Sequence, residues 1–259
     1  MSEIDTAVPT CAPLPYDNIN DLVDHLRRFT PLAITSSVHT FTTVGPESSD
    51  RRDESKLHGP ITQQHDITFR GPENEFTAKI TFRIETPVSG VDDSPLTPIV
   101  SHVEVPLHDI SDWARPELGS WVAERAEELD IATLGYGIDA YYKMAMKRAK
   151  CWAACADAFR TLCPSGVAED AGYEAYVGRQ CFDFSDGDLL LRVWWQVGFD
   201  ETGAAESKVY VDVVMLKVWK MVEYDHGPAT MAIVNFFDSY LKAGHDVFDA
   251  VERTVHLTF

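Results

Sequence analysis

A chain of 259 residues with 45% hydrophobic side chains can bury a sizeable core and hold one large or two small domains. Its formal net charge of −19 argues against a general surface for nucleic acid or an anionic membrane, and leaves room for a basic protein partner. No apolar run is long enough to span a bilayer, no signal peptide is visible and no Asn-x-Ser/Thr sequon occurs, so an intracellular protein, nuclear or cytoplasmic, is expected.

Residues 1–16 are Pro-rich and expected to be disordered. A short helix is predicted over 17–29, with Ile19, Leu22, Val23 and Leu26 on one side and Pro31 ending it. Leu32 to Val44, rich in Thr, Val and Ile, is a predicted strand, followed by a polar loop from Gly45 to Pro60. Gln63 to Phe69 is the next strand. In Phe76 to Ile84, Phe76, Ala78, Ile80, Phe82 and Ile84 alternate with Thr77, Lys79, Thr81 and Arg83, the period of a strand with one buried face. Beyond a Pro/Gly/Asp loop, Ile99 to Leu107 is a strand with Val103, Val105 and Leu107 inward. A helix from about Glu117 carries Leu118, Trp121, Val122 and Leu129. A longer one, Thr133 to Leu162, carries the stripe Leu134, Ile138, Tyr141, Ala145, Trp152, Ala156 and Phe159. Pro164 stops it, and Ser165 to Gly172 is a linker.

The second half repeats this order. A short strand ends at Phe184, and Ser185-Asp186-Gly187-Asp188 is a turn. From Leu189 to Phe199 the apolar set Leu189, Leu191, Val193, Trp195, Val197 and Phe199 shares one face. Arg192, Gln196 and Gly198 share the other with Leu190 and Trp194. After a hairpin loop, Lys208 to Trp219 returns. Its apolar residues change sides near Val213–Val214, which implies either a bulge or cover on both faces. Gly227-Pro228 opens a helix with Met231, Val234, Phe237, Leu241, Phe248 and Val251 at helical spacing, bent or interrupted at Gly244.

Strands joined by short polar loops point to antiparallel sheets with helices on one face, an α+β fold built of two similar helix–antiparallel meander–helix units, 17–163 and 173–259. This order of elements resembles the RWD fold, and the pair resembles the tandem-RWD subunits of the inner kinetochore. Trp113–Pro116 and Tyr224–Pro228 stand loosely where RWD domains carry a Tyr/Pro-rich turn, and the amino-terminal coiled coil of those subunits is missing. The resemblance implies a non-catalytic scaffold that pairs with a related chain.

Trp194 and Leu190, apolar residues on the outward parity of their strand, are the candidate partner-binding residues. Lys143, Lys147 and Lys150, with Arg148 beside them, form the one concentrated basic patch, at helical spacing. His102, Glu104, His108 and Asp109 are the best cluster for a metal, although polar residues are expected on that wet face anyway. Cys151 and Cys155, four apart, lack the two-residue gap of a zinc or redox pair, and with Cys163 are expected as small core residues. Ser48 to Ser55, Ser94-Pro95 and Thr97-Pro98 could accept phosphate. Walker, dinucleotide-glycine, His-Glu-x-x-His and Gly-x-Ser-x-Gly motifs are absent, so no catalytic residue, cofactor or metal is assigned. The alternative is a ligand-binding or enzymatic α+β domain whose cavity, under the carboxy-terminal helix, would be lined by Trp194, Trp195, Tyr210, Trp219 and Phe237.

Overall fold

The structure is a computed structural model that describes Arg28 and residues 30–44, 58–86, 98–163, 172–216 and 228–259. The disordered-terminus expectation, the helix over 17–29 apart from Arg28, the linker apart from Gly172, Trp219 and the candidate phosphate acceptors lie outside the described residues.

Two antiparallel meanders follow one another. The first has β1 (Ala33–Val44), β2 (His58–Arg70), β3 (Thr77–Thr86) and β4 (Ile99–Glu104), paired in that order. A 3-10 turn at Leu107–Asp109, α1 (Arg115–Glu127) and α2 (Ile131–Ala158) come next. The second sheet has β5 (Cys181–Ser185), β6 (Leu189–Phe199) and β7 (Ala205–Met215), again in chain order, followed by α3 (Pro228–Lys242) and α4 (Val247–Thr258). This is the expected α+β class.

The alternation in the sequence determines which side chains are buried. In β3 and the residue before it, Phe76, Ala78, Ile80 and Phe82 are buried, while Thr77, Lys79 and Thr81 are half-exposed. In β6, Leu191, Val193, Trp195 and Val197 are buried. Asn74 adopts φ 60° in the tight connection of β2 to β3, closed by Gly71 N–H donating to the Phe76 carbonyl at 2.9 Å.

Helices cover one face of each sheet and generate two core clusters. The amino-terminal half of α2 (Leu134 to Met146) lies in the first cluster, and its other half (Ala149 to Cys155) in the second. Strand β6 does the same: Leu191, Val193 and Trp195 belong to the second core, Val197 to the first. Phe199 at its end stacks on Trp121 with ring centroids 4.1 Å apart. These two elements join the cores. Gly137 permits the α1–α2 contact, since a Cβ there would fall 2.0 Å from the Trp121 ring.

Several boundaries differ from the sequence expectations. Leu129 is exposed and takes φ 60°: it lies in the turn that swings the chain into α2, where the Asp130 carboxylate accepts from Thr133 N–H. Helix α2 ends at Ala158, short of Leu162. Strand β4 ends at Glu104, because Pro106 opens the 3-10 turn, and Leu107 is exposed. Strand β7 runs from Ala205 to Met215 in unbroken register with β6, so there is no bulge near Val213–Val214. The carboxy-terminal helix is two helices, broken where Gly244 takes φ 88° and restarted by Asp246, whose carboxylate accepts from Phe248 N–H. Met231 is exposed on α3, while Phe237 and Val251 are buried.

Candidate functional site

The second sheet turns its face away from the helices, and the register of its strands sets what that face carries. Cys181, Trp194 and Tyr210 form one row across β5, β6 and β7; Asp183, Arg192 and Asp212 form the next; Ser185, Leu190 and Val214 the third. Gln196 opposite Lys208, and Gly198 opposite Glu206, extend it toward the far end. Trp194, Tyr210, Leu190 and Val214 are half-buried and belong to neither core cluster.

The side chains on this face arrange one another. Trp194 and Tyr210 stack with centroids 6.1 Å apart and an interplanar angle of 14°. The Arg192 guanidinium lies 5.6 Å from the Trp194 ring, and Lys208 Nζ lies 5.8 Å from the Tyr210 ring. Arg192 also donates from Nε and Nη2 to the two oxygens of Asp183, at 2.7 and 2.8 Å. These hydrogen bonds hold its pKa above the ordinary guanidinium value, so it remains a cation under all working conditions. Burial pushes the Cys181 thiol up, away from a thiolate nucleophile. Gly198 is exposed, and a Cβ there would meet nothing within 4 Å, so packing within the chain does not require glycine at this position. Glycine inside a strand commonly marks close approach of another backbone.

A buried ion pair holds the far end of this platform in place. Strand β5 stops pairing at Trp194, Trp195 N–H donates to the Gln180 carbonyl at 2.8 Å, and no described strand neighbours the rest of β6 on that side. Arg148 Nη1 donates to the Trp195 carbonyl at 2.7 Å, and Val197 N–H donates to Glu117 Oε1 at 3.0 Å. Arg148 and Glu117 themselves pair through two bonds, of 2.8 and 2.7 Å, and the Tyr141 hydroxyl donates to Glu117 Oε2 at 3.1 Å. The guanidinium is fully buried and the carboxylate nearly so. Burial and the Glu117 charge push the Tyr141 hydroxyl far up, keeping it a donor. Carboxylate and guanidinium thus stand in for the missing strand, satisfying backbone groups that would otherwise be buried without partners.

Leu190 and Trp194 are therefore brought together on one face, as the alternation implies. The three lysines of the basic patch are exposed on α2, each beside an acidic side chain or an aromatic ring. Arg148 is in the interior, Lys143 pairs with Asp139 at 2.7 Å, Lys147 with Asp246 at 3.4 Å, and Lys150 lies over the Tyr173 ring at 5.5 Å. The cluster proposed for a metal is two separate exposed pairs, His102–Glu104 and His108–Asp109, each at 3.7 Å. Among the described residues no group of three His, Cys, Asp or Glu is placed to hold a metal ion. Cys151 and Cys155 are buried free thiols, and Cys163 is half-buried. Trp195 and Phe237 fill the second core, whereas Trp194 and Tyr210 point to the opposite side of the sheet, so these four cannot line one cavity. Tyr210 could have been placed outward from sequence, since it alternates with Val209 and Val211.

Fold and site together define an α+β protein of two antiparallel meanders, each covered on one face by helices, with an aromatic outer face on the second. The sequence matches no family model and no curated protein. No helix among the described residues is long and apolar enough to cross a membrane.

Proposed function

We propose that the protein is a non-enzymatic protein–protein interaction scaffold that uses the outer face of the second sheet as its contact surface. The stacked Trp194–Tyr210 pair carries this reading: two large aromatic rings are half-exposed and outside both cores, and Gly198, four residues further along the same face of β6, leaves space for an approaching backbone. Aromatic side chains in such settings contribute most of the affinity of protein interfaces. The sequential meanders, each followed by two helices, support a tandem RWD-type scaffold, and with it a place in a kinetochore or other chromosomal assembly alongside a related chain. The partner would be a protein rather than nucleic acid, given the chain's net charge of −19.

The test is cross-linking and affinity purification from the native cell with wild type, the double variant Trp194→Ala/Tyr210→Ala, and Gly198→Leu. Loss of one defined partner in both variants, with unchanged circular dichroism, is the expected result. Recovery of the same proteins at the same yield by all three would rule this face out as the contact surface.

A further inference from the structure

The hairpin of β6 and β7 has its base in one core and its tip in the other. Leu191, Val193 and Trp195, with Val211 and Val213, fill the second core. Further along the same inner face, Val197 is buried in the first core, and Phe199 and Ala205 pack against it. The outer face divides at the same place. The row Asp183–Arg192–Asp212 belongs to the base, while the rows Gln196–Lys208 and Gly198–Glu206 belong to the tip.

The turn at the tip is shaped by its own bonds and fitted to the corner of α1 and α2. Asp200 Oδ1 accepts from Thr202 N–H at 2.8 Å, from Thr202 Oγ1 at 2.7 Å and from Ala204 N–H at 2.9 Å. Gly203 is buried and takes φ 80°. A Cβ there would fall 2.7 Å from Thr133 Cγ2, and 3.3 Å from both the Thr133 carbonyl oxygen and Trp121 Cζ2. Both neighbours are held. The Thr133 hydroxyl donates to Asp130 Oδ2 at 2.6 Å, which fixes the rotamer of a β-branched side chain. The Trp121 ring is stacked on Phe199 and lies against Gly137, where a Cβ would fall 2.0 Å from it. Interiors packed this closely do not absorb an added carbon without movement. Glu117, one helical turn before Trp121 on α1, accepts from Val197 N–H, so α1 grips the outer part of β6 at two points.

We propose that the hairpin tip is a clasp: seated on Trp121 and Thr133, it fixes the far rows of the second sheet's outer face, so the α1–α2 corner sets how much of that face is formed for a partner. Strand β5 ends its pairing at Trp194, and no described strand flanks the tip on that side, so the seat and Glu117 replace sheet neighbours there. An unseated tip keeps the Trp194–Tyr210 stack, whose row lies nearer the base, and loses the ordered rows beyond it. Linkage makes the effect reciprocal: a partner that needs the Gly198 row stabilises the seated tip, and through it the corner of α1 and α2. This consequence for a partner rests on the contact-face reading, whereas the clasp itself is a property of the chain alone.

The experiment is amide hydrogen exchange of the full chain as wild type, Gly203→Asn and Gly187→Asn. Both glycines take positive φ, 80° and 93°, which asparagine tolerates, but a Cβ at Gly187 meets nothing within 4 Å. The two variants therefore differ in room and not in backbone strain. In G203N the amides of Gln196, Gly198, Glu206 and Lys208 are expected to exchange about tenfold faster, and those of Arg192 and Asp212 at the wild-type rate. G187N is expected to match wild type at every one of these positions. Wild type in low urea gives a readout free of any variant: the tip amides are expected to open with the same urea dependence as Val122 of α1. Wild-type exchange at the tip of G203N, the same loss in G187N, or tip amides that open without Val122 would each overturn the clasp. In the affinity purification, G203N is expected to lose the partner that W194A/Y210A loses. A partner lost by W194A/Y210A and kept by G203N would overturn the clasp and leave the contact face standing. A partner kept by both counts against the contact face, and the exchange measurements then decide the clasp.

Discussion

The outer faces of the two sheets are built on the same plan, each with a carboxylate–cation pair, and differ in the apolar residues that only the second adds. On the first, Thr81 Oγ1 donates to Asp66 at 2.8 Å and Lys79 pairs with the same carboxylate at 3.2 Å. These groups satisfy one another and water, and a partner would have to strip that hydration to bind there. On the second, the ion-paired row Asp183–Arg192–Asp212 is flanked by Trp194 and Tyr210 on one side and by Leu190 and Val214 on the other. Each Å² of their apolar surface removed from water contributes about 25 cal/mol. The same α+β layer thus makes one face that is complete in water and one that gains by being covered. The positions differ in residue type and not in backbone, so contact chemistry here is a property of the outward parity of β6 and β7.

The strongest way to break the comparison is to remove what props the second sheet. Glu117→Ala leaves a fully buried Arg148 without its carboxylate and removes the acceptor for Val197 N–H. The expected loss is about 3–5 kcal/mol in urea unfolding, with amides of Trp195 and Val197 losing exchange protection before those of Ile67 and Ile80.

The inner face of the first sheet supplies a smaller, pH-dependent effect. His65 is buried, stacks on Phe82 at 4.9 Å, and both ring nitrogens lack a hydrogen-bond partner. Desolvation lowers its pKa below the usual 6.5, opposed by the neighbouring Asp66 charge. The unfolded chain therefore takes up this proton at higher pH than the folded one. Stability is full above about pH 6.5 and falls as pH drops toward the lowered folded value, by at most about 1.4 kcal/mol per pH unit. His65→Phe is expected to remove that slope in unfolding curves recorded between pH 7 and pH 5, and to leave the second sheet unaffected.

Converting the second outer face into the first sharpens the contrast directly. Trp194→Thr with Tyr210→Thr is expected to change stability by only about 1 kcal/mol, the scale of a cross-strand pair, because neither ring belongs to a core. Partner recovery in the affinity purification is expected to collapse. The smallest effect belongs to the first outer face. Lys79→Ala removes a partly exposed ion pair and should cost below about 1 kcal/mol, with no change in partner recovery.

Much of this was written in local pattern. Strict alternation in Phe76 to Ile84 and Leu189 to Phe199 set the strands, their buried faces and the outward position of Trp194 and Leu190, because the pleat sends successive side chains to opposite sides whatever the rest of the chain does. Tertiary structure decided the rest. Arg148 sits among lysines at helical spacing and looks like part of a basic face, yet it is buried because α2 crosses the end of β6, where a backbone carbonyl needs a donor. Tyr210 becomes the stacking partner of Trp194 only through the register of the hairpin. Periodicity is a property of a few consecutive residues; burial of a charge, pairing across strands and the identity of an edge depend on which distant segments meet.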